Sequence, residues 1–200
     1  MEKLNSLKVG QFFREKNISI FTPLDFQRFF GASFDASKNF INRHISSGLF
    51  IKVRNGLYVF AEKKPSNFIL ANKIYQPSYI SFETALSYYH IIPESIYTIF
   101  SATAKSSREF EAIETKYVYH RVRKKLFFGY TPKKINGLTF FIAEPEKAVL
   151  DYLYFVDLKK KALSERLDLR DMKKRQLIEL ARAFQRKSLI SLIEKIYVKS

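Results

Sequence analysis

An Asn-Gly pair, Asn55-Gly56, stands between two runs of strand-forming residues and is the strongest local signal in the sequence. Both central residues of a two-residue hairpin turn need a positive φ, which Asn and Gly tolerate best. The segment 51–60 is therefore predicted to form a β-hairpin. The register expected from this turn pairs Val53 with Tyr58 and Ile51 with Phe60. It also places Lys52 and Arg54 on the opposite face, where both side chains remain in water.

Three helical stretches precede the hairpin. Apolar residues at near-helical spacing predict the first helix over roughly residues 3–16. The second is predicted to begin at Thr22-Pro23-Leu24-Asp25, where Thr22 caps free backbone N–H groups and Pro23 suits the first turn, and to end at Gly31. The third is predicted over about residues 36–47 with Asp35 as its cap, because its apolar side chains fall on one stripe. Three helices followed by a basic hairpin are typical of a winged helix-turn-helix domain that binds DNA.

The polar face of the third helix and the hairpin are predicted to contact a duplex. Arg43 suits bidentate bonding to guanine and Asn42 suits adenine, whereas lysines suit phosphates, which set the register without reading sequence. Ser37 lies near the helix N-terminus, where the dipole favours a phosphate. The predicted DNA-binding residues are Ser37, Lys38, Asn42, Arg43, Lys52, Arg54 and Asn55.

The overall charge agrees with a polyanionic partner. The 200 residues include 35 Lys and Arg against 19 Asp and Glu, a formal net charge of +16, and 46% of the residues are hydrophobic, enough to form a core. The chain has no cysteine and three histidines, which excludes disulfides, thiolate metal sites and His-rich metal cages. No apolar run reaches the length of a membrane helix, and the N-terminal residues show no apolar signal core. We therefore expect a cytoplasmic protein with no metal, cofactor or membrane partner.

A charged stretch ending in Pro65 separates the hairpin from a new apolar pattern. We predict two domains, residues 1–62 and 65–200, and an α+β fold class in which a mixed α/β domain follows the winged helix. Helices are expected near residues 68–74 and from Ser81, which is predicted to cap the second of these. Strands are expected at 96–102, 116–122 and 138–143. A further helix is expected from Pro145, and two basic helices within 171–198.

A second basic group within 121–134, a stretch without an acidic residue, is a further candidate for nucleic-acid contact. The candidates are Arg121, Arg123, Lys124 and Lys125. Attraction to phosphate does not distinguish DNA from RNA, and a solvated basic surface without a specific partner is the alternative.

Carboxylates and a lysine lie close together at a predicted strand-to-helix junction: Glu144, Glu146, Lys147 and Asp151. Such a group holds Mg²⁺ in some nucleases. Acidic residues are also favoured at a helix N-terminus, and Lys147 is placed to pair with Asp151 one turn later. Because the predicted neighbouring strands carry mostly Tyr, Val and Arg, we favour the structural explanation and expect no enzyme activity.

These residues carry a resemblance to a known family. The sequence resembles the AbiEi antitoxin family of type IV toxin–antitoxin systems at several places. They are the run Ser81-x-x-x-Ala85-Leu86, the segment 90–94, Thr103, Arg108 and the motif at 143–151, with Glu144, Pro145, Glu146, Lys147 and Asp151. The resemblance extends from the winged helix to about residue 156. The Glu-Pro-Glu-Lys-Ala motif after a strand is its most specific part.

The resemblance implies two activities. The N-terminal domain would bind inverted repeats in operator DNA and repress its own operon. The C-terminal domain would counter a nucleotidyltransferase-like toxin, AbiEii, without forming a stable complex with it. Two alternatives stand beside this hypothesis: a metal-dependent nuclease that uses Glu144, Glu146 and Lys147, and a protein-interaction module that binds the toxin directly.

Overall fold

The computed structural model describes residues 4–199 and has a mixed α+β fold. The chain divides into two compact units. The first extends up to Leu70 and includes Ala112–Glu114; the second comprises Ala71–Glu111 and the chain from Thr115 onward. The division follows Leu70, eight residues beyond the end of the predicted first domain.

The first unit contains three helices and a three-stranded antiparallel sheet with strand order β1-β3-β2. Its elements are α1 (Ser6–Glu15), β1 (Ile20–Phe21), α2 (Pro23–Phe30), α3 (Phe34–Ser46), β2 (Phe50–Arg54) and β3 (Leu57–Phe60). The three predicted helices are confirmed in position, although the expected start of the first at residue 3 lies outside the described residues. The short strand β1 is absent from the sequence-based prediction.

Local capping sets where α2 and α3 begin. The Thr22 hydroxyl accepts a hydrogen bond from the Asp25 backbone N–H at 3.2 Å, and the Asp25 carboxylate accepts one from the Thr22 N–H at 2.9 Å, which forms a capping box. Gly31, with φ of 60°, ends α2 as predicted. The predicted cap of α3 is wrong: Ser33, not Asp35, occupies that position, and its Oγ accepts from the Ala36 N–H.

The hairpin forms around Asn55-Gly56, but its predicted register is wrong, and Gly56 has the positive φ that was expected of both residues while Asn55 does not. A β-bulge at Val53 shifts the pairing, so that Lys52 lies opposite Tyr58 and Ile51 opposite Val59. The extra residue bends the strand and redirects its side chains. Val53 consequently lies in the protein interior, while Lys52 and Arg54 on either side of it remain exposed, as predicted.

Aromatic side chains fill the core of the first unit. Phe13 of α1 is fully buried, and its ring centroid lies 4.8 Å from that of Phe21, 5.4 Å from Phe60 and 5.6 Å from Phe50. The core therefore joins α1 to all three strands. Phe26 of α2 lies 5.4 Å from Phe40 of α3, so the same cluster fixes α3 to the rest of the unit.

The second unit is built on a six-stranded mixed sheet with strand order β6-β7-β5-β4-β9-β8. From the helix at which the chain divides, the elements are α4 (Asn67–Ile74), β4 (Ser78–Ile80), α5 (Phe82–Tyr88), β5 (Ile99–Thr103), β6 (Arg108–Ala112), β7 (Thr115–Arg121), β8 (Tyr130–Ile135), β9 (Leu138–Ala143), α6 (Pro145–Asp157), α7 (Lys174–Ala181) and α8 (Lys187–Lys199). Helix α6 is buried over residues 147–155 and packs against α5, α7 and α8. Among the described residues, no helix combines the length and the apolar character needed to cross a membrane.

The predicted helices of this unit and three of its strands are confirmed. β5 and β7 lie within a few residues of their predicted positions, and β9 coincides with the predicted run 138–143. The strands β4, β6 and β8 were not predicted. They are short or contain several charged residues, so that strand-forming composition does not mark them.

His120 of β7 lies in an aromatic box in this unit. Its ring centroid is 5.0 Å from those of Phe82 and Phe155, and its Nε2 is buried with no hydrogen-bond partner in the described part of the chain. Burial, reinforced by the charge of Lys161, lowers the pKa of His120 from 6.5 to about 4. The imidazole is therefore neutral in the folded protein at physiological pH.

We predict that His120 makes the protein less stable in mild acid. Because its folded pKa is below its unfolded pKa, the unfolded chain binds more protons between about pH 4 and 6.5, and stability falls as the pH falls through that range. The expected loss is roughly 1–2 kcal/mol, reduced because the ring is partly exposed to solvent. Urea unfolding of wild type and His120→Phe at pH 7 and pH 5 measures it. The variant should lose less stability than wild type; equal losses would contradict the prediction.

Candidate nucleic-acid interface

One face of α3 is exposed and polar. Lys38, Asn39, Asn42, Arg43 and Ser46 are all exposed on this face, at the spacing of one side of a helix. The opposite face is held in the aromatic core, where Phe40 is 7% exposed and Ile41 is inaccessible to solvent. Lys38, Asn42 and Arg43 therefore lie where an external partner can reach them. Asn39 shares the face and was not predicted, although its helical spacing to Asn42 and Ser46 would have indicated it.

Ser37 is the exception among the predicted residues of α3. Its side chain is fully buried, and its Oγ donates a hydrogen bond to the Ser33 carbonyl oxygen at 2.9 Å. The helix start at Ser33 rather than Asp35 accounts for this, because Ser37 then falls one turn into the helix on its inner side. Ser37 is not available to a phosphate, and we remove it from the predicted set.

The β2–β3 hairpin presents its predicted cations to solvent. Lys52, Arg54 and Asn55 are exposed, and an Arg54 Nη donates to the carbonyl of the next residue, Asn55, at 2.9 Å. Gly56 has φ of 75°, which the turn requires and a larger side chain would resist. β2 is an edge strand of its sheet, and among the described residues no strand pairs with its outer side.

His44, next to Arg43, is directed toward the core. Its ring lies 4.2 Å from that of Phe40, and its Nδ1 is 3.1 Å from the Ser47 hydroxyl. Burial, followed by the positive charge of Arg43, lowers the pKa of His44. The imidazole therefore adds no positive charge to the α3 face at neutral pH, and that charge comes from Lys38 and Arg43.

The second predicted basic group lies at the end of β7 and at the start of the short 3-10 helix Lys124–Leu126 that follows it. Arg121, Arg123, Lys124 and Lys125 are all exposed. The Lys125 ammonium donates to the side-chain oxygen of Gln185, which ties it to the C-terminal part of the unit. These four residues form a solvent-facing cationic surface. Nothing in their contacts distinguishes a nucleic-acid partner from solvent.

The Glu-Pro-Glu-Lys motif opens α6, with Pro145 in the first turn. Glu144 is exposed and Glu146 is half-buried, whereas Lys147 and Asp151 are buried and form the predicted (i, i+4) ion pair. The predicted pairing of Lys147 with Asp151 is confirmed. Among residues 4–199, no group of three or more acidic, His or Cys side chains is placed to hold a metal ion.

Two hydroxyl groups complete this buried pair. The Lys147 ammonium donates to the Tyr79 hydroxyl at 2.8 Å, and that hydroxyl donates to the Asp151 carboxylate at 2.9 Å. The Ser81 hydroxyl also donates to Asp151, at 2.8 Å. Ser81 occupies the N-cap position of α5, but its side chain makes no cap hydrogen bond there. Its predicted capping role is therefore wrong. We call Tyr79, Ser81, Lys147 and Asp151 the buried polar cluster.

Burial controls the protonation of this cluster. It lowers the pKa of Lys147, although the neighbouring Asp151 carboxylate opposes that effect. It raises the pKa of Tyr79 well above its usual value, and the charge of Asp151 adds to the rise. Because Tyr79 of β4 accepts from Lys147 and donates to Asp151, the cluster ties α6 to β4. The sequence indicated the ion pair through its spacing but did not indicate Tyr79.

Comparison with models of known protein families found no family that matches this chain, and comparison with curated proteins found no relative. The resemblance to the AbiEi family consequently rests on the residues given above.

Proposed function

We propose that the protein is a sequence-specific DNA-binding regulator whose first unit acts as a winged helix-turn-helix domain. In this proposal α3 enters the major groove and the β2–β3 hairpin lies along the adjacent backbone. The observation that carries the proposal is the exposed polar face of α3, followed directly by a hairpin with exposed cations on either side of a bulge. The net charge of +16 favours the same partner, because it attracts a polyanion at long range.

The proposed contacts divide into two kinds. Arg43 and Asn42 read base edges, since guanidinium and amide groups pair bidentately with guanine and adenine. Lys38, Lys52 and Arg54 bind phosphates and set the register of the protein on the duplex, with Asn55 at the tip of the hairpin beside them. Both kinds of contact are available because their side chains are exposed, while the helix that carries the first kind is fixed by the aromatic core.

The resemblance to AbiEi antitoxins supports the wider proposal. The protein would act in the cytoplasm, bind inverted repeats in its operator and repress its own operon, while its second unit counters a nucleotidyltransferase-like toxin. The Glu144-to-Asp151 motif supports this assignment through its sequence. The structure adds no support for the nuclease alternative, because the Lys147 ammonium is occupied by Asp151 and Tyr79.

Two substitutions separate the proposed kinds of DNA contact. Arg43→Ala should reduce discrimination between operator and scrambled duplex by about 1–3 kcal/mol, because a bidentate base contact is lost. Lys52→Ala should weaken binding to both duplexes alike and lower the salt slope of log affinity by about 0.9, because one phosphate contact is lost. Fluorescence anisotropy with the region upstream of the gene, at several salt concentrations, measures both quantities.

Lys16→Ala is the control for charge, since Lys16 is an exposed cation at the end of α1 outside the proposed interface. Lys16→Ala should leave the discrimination between operator and scrambled duplex unchanged. It should alter the salt slope of log affinity less than Lys52→Ala does. Wild-type protein that binds both duplexes equally would remove the proposed sequence specificity. An unchanged discrimination in Arg43→Ala would remove the assigned role of that residue.

The antitoxin role is tested in cells. An adjacent nucleotidyltransferase-like gene should arrest growth when expressed alone and should do so less when this protein is co-expressed. Rescue without co-purification of the two chains agrees with the proposal, and stable co-purification favours the alternative of direct toxin binding. Growth arrest that this protein does not relieve would contradict the antitoxin role while leaving DNA binding intact.

A further inference from the structure

A cleft of about 310 Å³ lies on the second unit, next to the Tyr79 side of the buried polar cluster. Its walls come from the last turn of α4, the start of β4 and the β8–β9 hairpin at the edge of the sheet. This volume is at the lower end of the range for small-molecule sites, roughly 300–1,000 Å³. The cleft therefore suits a ligand of about the size of one nucleotide.

Aromatic rings line one part of the cleft. Phe127, Tyr130 and Phe141 contribute to its walls, and the exposed fraction of Phe141 is 41%, which is high for such a side chain. The ring of Tyr79 stacks on that of Tyr130, with a centroid distance of 4.7 Å and an interplanar angle of 15°, and holds it in place. Rings that are fixed and accessible in this way form a platform on which a flat aromatic ligand can stack.

Two polar groups in the cleft walls have no hydrogen-bond partner among residues 4–199. Asn72 is 6% exposed and Ser78 is 8% exposed, and neither the Asn72 Nδ2 nor the Ser78 Oγ makes a hydrogen bond. The Asn72 Oδ1 accepts from the Phe141 backbone N–H, which fixes the orientation of the amide and leaves its N–H₂ group as a donor without an acceptor. Buried polar groups normally have partners, and a ligand group that reaches these two atoms would supply the missing ones.

The rim of the cleft is cationic. Lys73 is exposed and lines the cleft directly. Lys134 lies opposite Thr139 in the β8–β9 pairing. Because directly paired residues of an antiparallel sheet share a face, Lys134 lies on the same face as Thr139 and Phe141, which line the cleft. A ligand that stacks on the rings and carries a phosphate would find Lys73 at the edge of the site and Lys134 on the same face of the sheet.

We propose that this cleft binds one nucleotide. The base stacks on the aromatic wall and accepts a hydrogen bond from Asn72. Ser78 forms a second hydrogen bond with the base, and the phosphate lies against Lys73 and Lys134. The ligand is either a free mononucleotide or one residue of a single strand, because both present the same base and phosphate. This site is separate from the proposed duplex interface of the first unit, and neither proposal depends on the other.

Calorimetry with the four nucleoside monophosphates, and fluorescence anisotropy with short homopolymeric single strands, test the proposal on the full chain. We expect saturable binding and roughly tenfold weaker binding for Phe141→Leu, which removes the stacking ring but keeps an apolar side chain. Asn72→Asp should weaken binding similarly, since it keeps the acceptor for the Phe141 N–H and removes the donor. Lys134→Gln should weaken binding of the monophosphate but not of the corresponding nucleoside.

Leu138→Ala is the matched control, because Leu138 is an exposed apolar residue of the same strand outside the cleft. It should bind as the wild type does. Binding of mononucleotides identifies a free nucleotide as the ligand, and binding of single strands alone identifies a strand. The proposal is overturned if neither probe binds saturably at millimolar concentration, or if Phe141→Leu binds as tightly as wild type. Operator binding by the same samples reports separately on the first unit.

Discussion

Replacement of Asp151 by Ala is expected to lower the free energy of unfolding by about 3–5 kcal/mol. The substitution leaves the Lys147 ammonium inside the protein without its counter-ion, in a position where its side chain is only 3% exposed. It also removes the acceptor of the Tyr79 and Ser81 hydroxyls. Urea unfolding followed by circular dichroism gives the total change, and hydrogen exchange of peptides from α6 and β4 shows whether the second unit is the part affected.

A second ion pair with the same (i, i+4) spacing provides the control. Arg175 and Glu179 lie 3.2 Å apart on the surface of α7, with exposed side chains, so Glu179→Ala should cost less than about 1 kcal/mol. Adding Lys147→Met to Asp151→Ala should recover part of the lost stability, since the unpaired charge is removed. Equal losses for Asp151→Ala and Glu179→Ala would show that burial of the cluster does not determine its contribution.

Phe13→Ala is expected to destabilise the first unit by about 3–5 kcal/mol. The side chain is fully buried among Phe21, Phe50 and Phe60, and its removal leaves a cavity between α1 and the sheet. Because the same aromatic cluster holds α3, operator binding should be lost at temperatures where this unit unfolds. Hydrogen exchange of α1 and α3 peptides, together with operator binding over a temperature series, measures both effects.

Leu7→Ala is the matched substitution on the same helix. Leu7 is 78% exposed, so its truncation should change stability by about 0.5 kcal/mol or less and leave operator binding intact. The assigned role of the core would be contradicted if Phe13→Ala lost DNA binding while its α3 amides were as protected from hydrogen exchange as those of the wild type at the same temperature.

The parts of the fold that depend on neighbouring residues could be predicted from the sequence. The Asn55-Gly56 turn, the Thr22–Asp25 capping box and the Lys147–Asp151 spacing each involve residues within one turn of chain, so local rules suffice. The α3 face was predicted in the same way, because exposure along an amphipathic helix follows its period.

The parts that depend on packing between distant segments could not be predicted in this way. The bulge at Val53 and the burial of Ser37 each follow from how an element meets the core, and either changes the direction of a side chain. Tyr79 lies 68 residues before Lys147 in the chain, and no local pattern connects the two. The cleft likewise appears only when α4, β4 and the β8–β9 hairpin come together.

The absence of cysteine allows a direct test of whether α3 enters the major groove. Asn39 is exposed on the α3 face and has no assigned base contact, so Asn39→Cys can carry an iron chelate that cleaves DNA locally. Ser191→Cys is the control, because Ser191 is exposed on α8. We predict cleavage within a few base pairs of each operator half-site from position 39, in a pattern that position 191 does not reproduce. No cleavage from position 39 in a complex that still forms, or the same pattern from both positions, would contradict the proposed binding mode.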